Sequence, residues 1–308
     1  MALNDKIDIF IIGGSGFVSG TLARTALAQG HHVWCVTRGT QPLPEGVHGL
    51  VADRNDRDAF GAAVEGAGRG WDLVVDCIGY DPADARQDLA IFRQLARHLV
   101  FISTDFVFDP SRRQFPQAEA SEHFLLGDYG GAKRLCELEL LNGDAGEMAW
   151  TVIRPGHIYG PGSLLGCLPA HGRDAKLIEK LRAAQPLQLV GGGYFLQQPV
   201  LASDLARLIL SCWGNKKSHR QIFCCGGPDI IESHAYYRII AQVLGVGLEI
   251  EELPVAKYLA ENPEAAPFLC HRFYDLGKMK SAGLAVPSTP IDEGLREHVR
   301  AVELTQSR

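Results

Sequence analysis

The feature that most constrains this chain is its start. Residues 7–12 (IDIFII) form a short apolar run, rich in β-branched side chains, that stops abruptly at Gly13 and Gly14. A run this short, closed off by glycine, predicts a strand buried on both faces, as parallel strands are. Val18, Leu22, Ala26 and Leu27 then recur at helical spacing, and Gly30 offers a left-handed stop. A second apolar run, Val33–Val36, follows at once. Strand, glycine turn, helix and strand within roughly 30 residues make a βαβ unit, so the sheet begins parallel.

Further strands are predicted at Gly49–Ala52, Leu73–Cys77, Val100–Ser103 and Trp150–Arg154, with helical or loop segments between them. This alternation predicts an α/β fold with a doubly wound parallel sheet of the Rossmann kind. Beyond Arg154 the pattern loosens. A strand and helix are expected around Pro199–Leu210, one more strand at Gln221–Cys225, and a helix over Ser233–Leu244. With 308 residues, 46% of them hydrophobic, the chain exceeds one minimal domain. The expected division is a dinucleotide-binding domain over 1–160 plus about 198–226, with a smaller C-terminal substrate lobe from 161–197 and 227–308.

Charge and cysteine content narrow the function classes. A formal net charge of -6 provides no global basic surface, which disfavours nucleic acid and anionic membranes as partners. No stretch approaches membrane-spanning length and no secretory pattern opens the sequence, so a cytoplasmic protein is expected. The eight cysteines do not form a disulfide framework. Cys224 and Cys225 are adjacent and would point to opposite faces of a strand, so no metal site is expected.

The segment GGSGFVSG (Gly13–Gly20) lies where a dinucleotide fingerprint belongs, between the first strand and its helix. Gly13 and Gly16 let the backbone approach a diphosphate whose charge meets the helix N-terminus, with Ser15, Phe17 and Val18 beside them. The usual third glycine falls on Ser19, with Gly20 just after. An NAD site wants an acid at the end of the second strand, whereas this chain reads Thr37, Arg38, Gly39. A guanidinium there suits a phosphate, so NADP(H) is expected over NAD(H). Asp53 and Arg54 after the third strand, Cys77 and Ile78 after the fourth, and Pro155 complete the expected cofactor contacts.

Tyr129 and Lys133, in DYGGAKRLCE, share a helix face at a spacing of four. A tyrosine is a poor base at neutral pH, with a pKa of about 10, and a nearby ammonium is expected to lower that value. Gly130 and Gly131 cost the helix about 1 kcal/mol each relative to alanine, which predicts a close approach of cofactor or substrate. The strand ending at Ile102 delivers Ser103, Thr104 and Asp105 to the sheet edge that holds ligands in such folds. Thr104 would orient the reacting oxygen toward Tyr129. Asp105, His157 and Gln197 are candidate substrate contacts. The stretches Ser163–Asp174 and Glu261–His271 are expected lids.

By these motifs, together with VADRND, FISTDFVF, IRPGHIYGPG and YDLGKMKSAGL, the chain resembles the extended short-chain dehydrogenase/reductase family. That group is also called the NAD-dependent epimerase/dehydratase family, and the likeness runs nearly end to end. The resemblance implies Thr104, Tyr129 and Lys133 as catalytic residues, with Tyr129 and Lys133 also touching the cofactor, and implies a homodimer. Nucleotide-sugar enzymes of the family often carry asparagine where His157 stands and arginine near Gln197. Their dehydratases carry glutamate where Phe106 stands. STDFVFD is similar to dTDP-4-dehydrorhamnose reductases, whereas VVDCIGY and PVLASDLA look like a branch that includes chloroplast stem-loop binding proteins. The expected function is therefore hydride transfer between NADP(H) and a secondary alcohol or ketone of a small, sugar-like substrate. Reduction is favoured, and epimerisation through a ketone is the enzymatic variant. The alternative is a dinucleotide-binding regulatory or RNA-binding module without turnover.

Overall fold

The structure is a computed structural model that describes residues 6–169 and 173–306. Strands and helices alternate through the first half: β1 (Asp8–Ile12), α1 (Phe17–Ala28), β2 (His32–Thr37), β3 (His48–Val51), α2 (Arg57–Gly66), β4 (Trp71–Asp76), α3 (Pro82–Leu95), β5 (Ala96–Ile102), α4 (Asp128–Asn142) and β6 (Ala149–Pro155). The second half adds β7 (Ile158–Tyr159), α5 (Leu177–Arg182), β8 (Leu187–Val190), β9 (Leu196–Gln197), β10 (Val200–Leu201), α6 (Ala202–Ser211), β11 (Gln221–Cys225), β12 (Ile231–Glu232), α7 (Ser233–Leu244), β13 (Ile250–Leu253), α8 (Val255–Glu261), α9 (Gly277–Ala282) and α10 (Ile291–Gln306).

Seven parallel strands form one sheet in the order β11-β6-β5-β4-β1-β2-β3, the doubly wound arrangement expected. Alternation along β1 explains its two-sided burial. Ile9 and Ile11 pack with Leu22, Ala23 and Ala26 of α1 and with Leu205 and Ile209 of α6. Phe10 and Ile12 enter the opposite layer with Phe60, Val64, Phe92 and Leu140. Both clusters are close to fully buried, which is why this stretch reads as continuous rather than alternating hydrophobicity.

Local chemistry sets the helix ends. The Asp81 carboxylate accepts the Ala83 N–H at 2.8 Å, and Pro82 occupies the first helical position of α3. α1 closes at Gly30, φ +83°, and α7 at Gly245, φ +68°, both in the left-handed region glycine tolerates. β5 begins four residues earlier than its apolar core suggests. Arg97 and His98 interrupt the apolar run there, and the buried His98 ring meets the Thr151 hydroxyl of β6 through Nε2 at 2.8 Å.

A third cluster gathers Leu177, Leu181, Leu187, Leu189, Tyr236, Tyr237, Ile240, Leu295 and Val299 away from the sheet. The chain also returns to the sheet late, because Met279 and Leu284 join the α1 side of the core. Among the described residues no helix is long and apolar enough to cross a membrane.

Candidate active site

Strand order reverses between β1 and β4, where α/β sheets open a crevice at their C-terminal edge. Two adjoining cavities of about 440 and 520 Å³ occupy that edge and share Gly16, Ser19, Ile78 and Tyr80. They form one groove across the glycine loop.

The first cavity is lined by Gly13, Ser15, Gly16, Thr37, Arg38, Asp53, Arg54 and Ile78. Gly13 and Gly14 have φ +111° and +128°, and a Cβ at Gly14 would stand 2.5 Å from Cys35 Sγ, so the turn lies flat on β2. The displaced third glycine finds an explanation here. Ser19 is buried with its hydroxyl accepting the Gly16 N–H at 3.2 Å, while a Cβ at Gly20 would come within 3.2 Å of the Gly14 carbonyl. Gly20 thus allows the close packing of helix on turn. No acid stands in the first turn of α1, which leaves its N-terminal amides and positive dipole end for an anion. These residues fit a dinucleotide diphosphate.

Arg38 is exposed at the end of β2. Asp53 accepts both the backbone and side-chain N–H groups of Asn55, at 3.0 and 3.1 Å. Arg54 is 5% exposed, and its guanidinium is turned into Asp76 at 2.8 Å, Asp88 at 3.0 Å and Asp84 at 3.4 Å. It braces the cavity floor, because Asp76 also accepts the Ile78 N–H at 2.8 Å and so fixes the turn after β4. Burial pushes Asp88 well above the carboxylate range, whereas the Arg54 guanidinium holds Asp76 below it against its own burial.

The second cavity brings together Phe17, Val18, Cys77, Ile78, Thr104, Asp105, Tyr129, Lys133, Pro155 and His157. Thr104, just past β5, lines this cavity with Tyr129 of α4, and its hydroxyl accepts the Phe106 N–H at 3.3 Å. Lys133, one helical turn on, is 2% exposed and donates to the carbonyls of Gly79 at 2.6 Å and Ile102 at 2.5 Å. It lies over the rings of Phe101 and Tyr80 at 4.4 and 5.2 Å. Burial lowers its pKa, opposed chiefly by Asp76.

Two expectations are corrected. The Tyr129 phenol is not lowered: half of the side chain is exposed, yet burial of its hydroxyl end, reinforced by Tyr80, holds it above the usual value. The ammonium expected to lower it is committed to two carbonyls. Gly130, expected to admit a ligand, instead admits backbone, because a Cβ there would lie 2.0 Å from the Phe106 carbonyl oxygen. That glycine lets α4 press against the 104–106 turn and so brings Tyr129 to Thr104.

The three substrate candidates separate. Asp105 reaches the cavity, but its carboxylate is held below its usual range by Arg272 and by Arg113 at 2.9 Å, overcoming burial. His157 also reaches it, pushed down to about 4 mainly by burial. Gln197 is fully buried and does not line the cavity. Tyr80, Phe106, Leu168, Arg173 and Phe268 line it without having been singled out as site residues. Leu168, Arg173 and Phe268 come from the two stretches expected as lids, of which residues 170–172 lie outside the described residues. Tyr80 carried no signal beyond its place after β4. Among the described residues no cluster of potential metal ligands occurs.

Comparison with known proteins agrees with this architecture. A chloroplast stem-loop binding protein of 41 kDa from Arabidopsis thaliana is 24% identical over 294 residues, covering 89% of this chain and 68% of that protein. A 2'-dehydrokanamycin reductase from Streptomyces kanamyceticus is 26% identical over 288 residues, covering 89% of this chain and 78% of that protein. An epimerase structure from Methanothermobacter thermautotrophicus superposes with a TM-score of 0.80 at 15% identity, covering 99% of this chain and 94% of that one. Residues 9–226 match the NAD dependent epimerase/dehydratase family. The chain therefore belongs to the NAD-dependent epimerase/dehydratase family.

Proposed function

We propose that this protein is an NADP(H)-dependent reductase that converts a ketone of a small, sugar-like molecule to a secondary alcohol. The carrying observation is the convergence of Thr104, Tyr129 and Lys133 on one cavity that adjoins the groove of the glycine loop. In this reading Gly13, Ser15, Gly16, Phe17 and Val18 hold the diphosphate, and Cys77, Ile78 and Pro155 border the nicotinamide end. Arg38, beside Thr37, takes the 2'-phosphate that NADP(H) carries. When bound, the nicotinamide supplies the hydride.

Thr104 and Tyr129 grip the substrate carbonyl oxygen, and Tyr129 gives up its phenolic proton as hydride reaches the carbonyl carbon. A phenol held above its usual pKa is fully protonated at neutral pH, the state a reduction needs. Lys133 keeps a positive charge beneath the site and has one N–H left after its two carbonyl bonds. The aromatic walls of Phe106, Phe268 and Tyr80 shield the reacting carbon from water. Residues 161–197 and 227–308 serve as the substrate lobe, and the protein works as a cytoplasmic homodimer.

Replacing Tyr129 by phenylalanine tests this. Turnover should fall by about 100- to 10,000-fold while dinucleotide binding persists. Full activity in Tyr129→Phe would overturn the proton-transfer role. The likeness to a stem-loop binding protein favours a second reading, an RNA-binding module. That reading requires RNA affinity falling steeply with salt, and the net charge of -6 opposes it.

A further inference from the structure

The charges facing the reaction cavity do not balance. Asp105 is the only carboxylate among the described residues that line it, and it is already shared by Arg113 and Arg272, all three side chains being at most 2% exposed. Two guanidiniums on one carboxylate leave a net positive charge behind Phe106, whose ring lies 4.0 Å from the Arg272 guanidinium. Lys133, with its ammonium turned to backbone carbonyls, has the Asp76 carboxylate acting on it and does not add to this excess. Arg173 is the remaining cation. It is exposed, lines the cavity, and sits 5.8 Å from the Phe17 ring at the start of α1. Its charge acts on both Tyr129 and His157, which places it within electrostatic reach of the reacting atoms.

We propose that Arg173 determines substrate specificity by receiving a carboxylate or phosphate group of the substrate, so that the enzyme prefers anionic ketones. This rests on the reductase reading and names its substrate class. Among the described residues the cavity has no free carboxylate to receive an ammonium, so amine-bearing ketones are disfavoured by like charge. Arg173 offers a planar fork of donors that matches a carboxylate or phosphate with two parallel hydrogen bonds. Phe106, Leu168 and Phe268 enclose the uncharged part of the molecule. The chemistry balances: hydride from the dihydronicotinamide bonds to the carbonyl carbon, the C=O π pair moves to oxygen, and Tyr129 delivers the proton. The dinucleotide leaves oxidised and the ketone leaves as a hydroxy acid or hydroxy phosphate.

The glycine loop beside Phe17 provides a second source of anion, the diphosphate of the dinucleotide itself. The test separates the two. Purified full-length wild type, Arg173→Ala and Arg173→Lys would be titrated with NADPH. NADPH consumption would then be followed with keto acids of increasing ketone-to-carboxylate separation, their methyl esters and amine-bearing ketones. Losing a charge-assisted pair of this kind corresponds to about 10- to 100-fold in affinity. The expected result is unchanged NADPH binding in Arg173→Ala, a KM for one keto acid raised by that factor, no change for its ester, and substantial retention in Arg173→Lys.

Weakening of NADPH binding by the same factor would assign the anion to the dinucleotide and overturn the substrate role. Equal turnover of acid and ester by wild type, or preference for the amine-bearing ketones, would overturn it too. If no ketone is consumed, calorimetric titration of the keto acids into NADP-loaded protein decides: binding lost in Arg173→Ala supports the assignment, and no binding by wild type overturns it. A failed reductase reading is distinguishable, because it appears as full activity in Tyr129→Phe or as absent dinucleotide binding, neither of which depends on Arg173.

Discussion

Gly130→Ala is the substitution whose outcome the geometry fixes most sharply. On propensity alone, replacing a helical glycine by alanine should stabilise α4 by about 1 kcal/mol. The added methyl, however, would fall 2.0 Å from the Phe106 carbonyl oxygen and 2.7 Å from its carbon. Relief to an ordinary contact requires the helix and the 104–106 turn to part by more than 1 Å, roughly the gap between 2.0 Å and a tolerable 3.4 Å. Overpacking of this kind costs about 1–3 kcal/mol, enough to cancel or reverse the propensity gain. The same displacement separates Thr104 from Tyr129, and a misplacement near 1 Å lowers turnover by about 100-fold. Gly131→Ala is the control, since its nearest neighbour is a carbon at 3.3 Å and a small shift relieves it. Urea unfolding and steady-state NADPH oxidation would be measured on both variants. A Gly130→Ala protein more stable than wild type by the full propensity gain, with undiminished kcat, would refute the proposed role of this glycine.

Other consequences are equally concrete. With Tyr129 as the proposed acid and its pKa raised, ketone reduction should stay flat from neutral pH and decline only above about pH 10; a decline near pH 7 in the pH–rate profile would contradict this. Asp76→Asn should destabilise the fold by about 3–5 kcal/mol by leaving buried Arg54 short of charge, whereas Asp88→Asn, which imitates an already protonated acid, should cost much less in urea titrations. His98, pushed down to about 3 by burial, stays neutral in the folded state while the unfolded chain takes up its proton near pH 6.5. Stability should therefore erode as pH falls through 6.5 toward 3, and His98→Gln should flatten that dependence in thermal melts.

The legible parts of this molecule are those where one periodicity or one residue type dominates. The buried strands announced themselves because both faces of β1 and β4 are apolar, and β11 and α7 were bounded by the residues that bound them in the structure. The Tyr129–Lys133 spacing placed both residues on one helix face and in one cavity. What stayed hidden depends on contacts across sequence. Nothing local says that Arg54 faces Asp76 and Asp88, 22 and 34 residues away, instead of a ligand. Nothing local says that Asp105 is neutralised by Arg272, 167 residues on. The role of Gly130 was misread for the same reason, since the group that needs the space is a carbonyl from a different segment. Arg173 and Phe268 lay within the stretches expected as lids, where composition pointed to a region and not to a side chain.

The proposed function depends on NADP(H) lying in the groove over Gly13–Val18 with its 2'-phosphate on Arg38. Fluorescence titration with NADPH and then NADH, on wild type and Arg38→Ala, tests it most directly. The account predicts tight NADPH binding, weaker NADH binding, and a selective loss of about 10- to 100-fold for NADPH in the variant. Equal binding of the two dinucleotides would remove Arg38 from the site, and failure of both to bind would contradict the enzymatic reading itself.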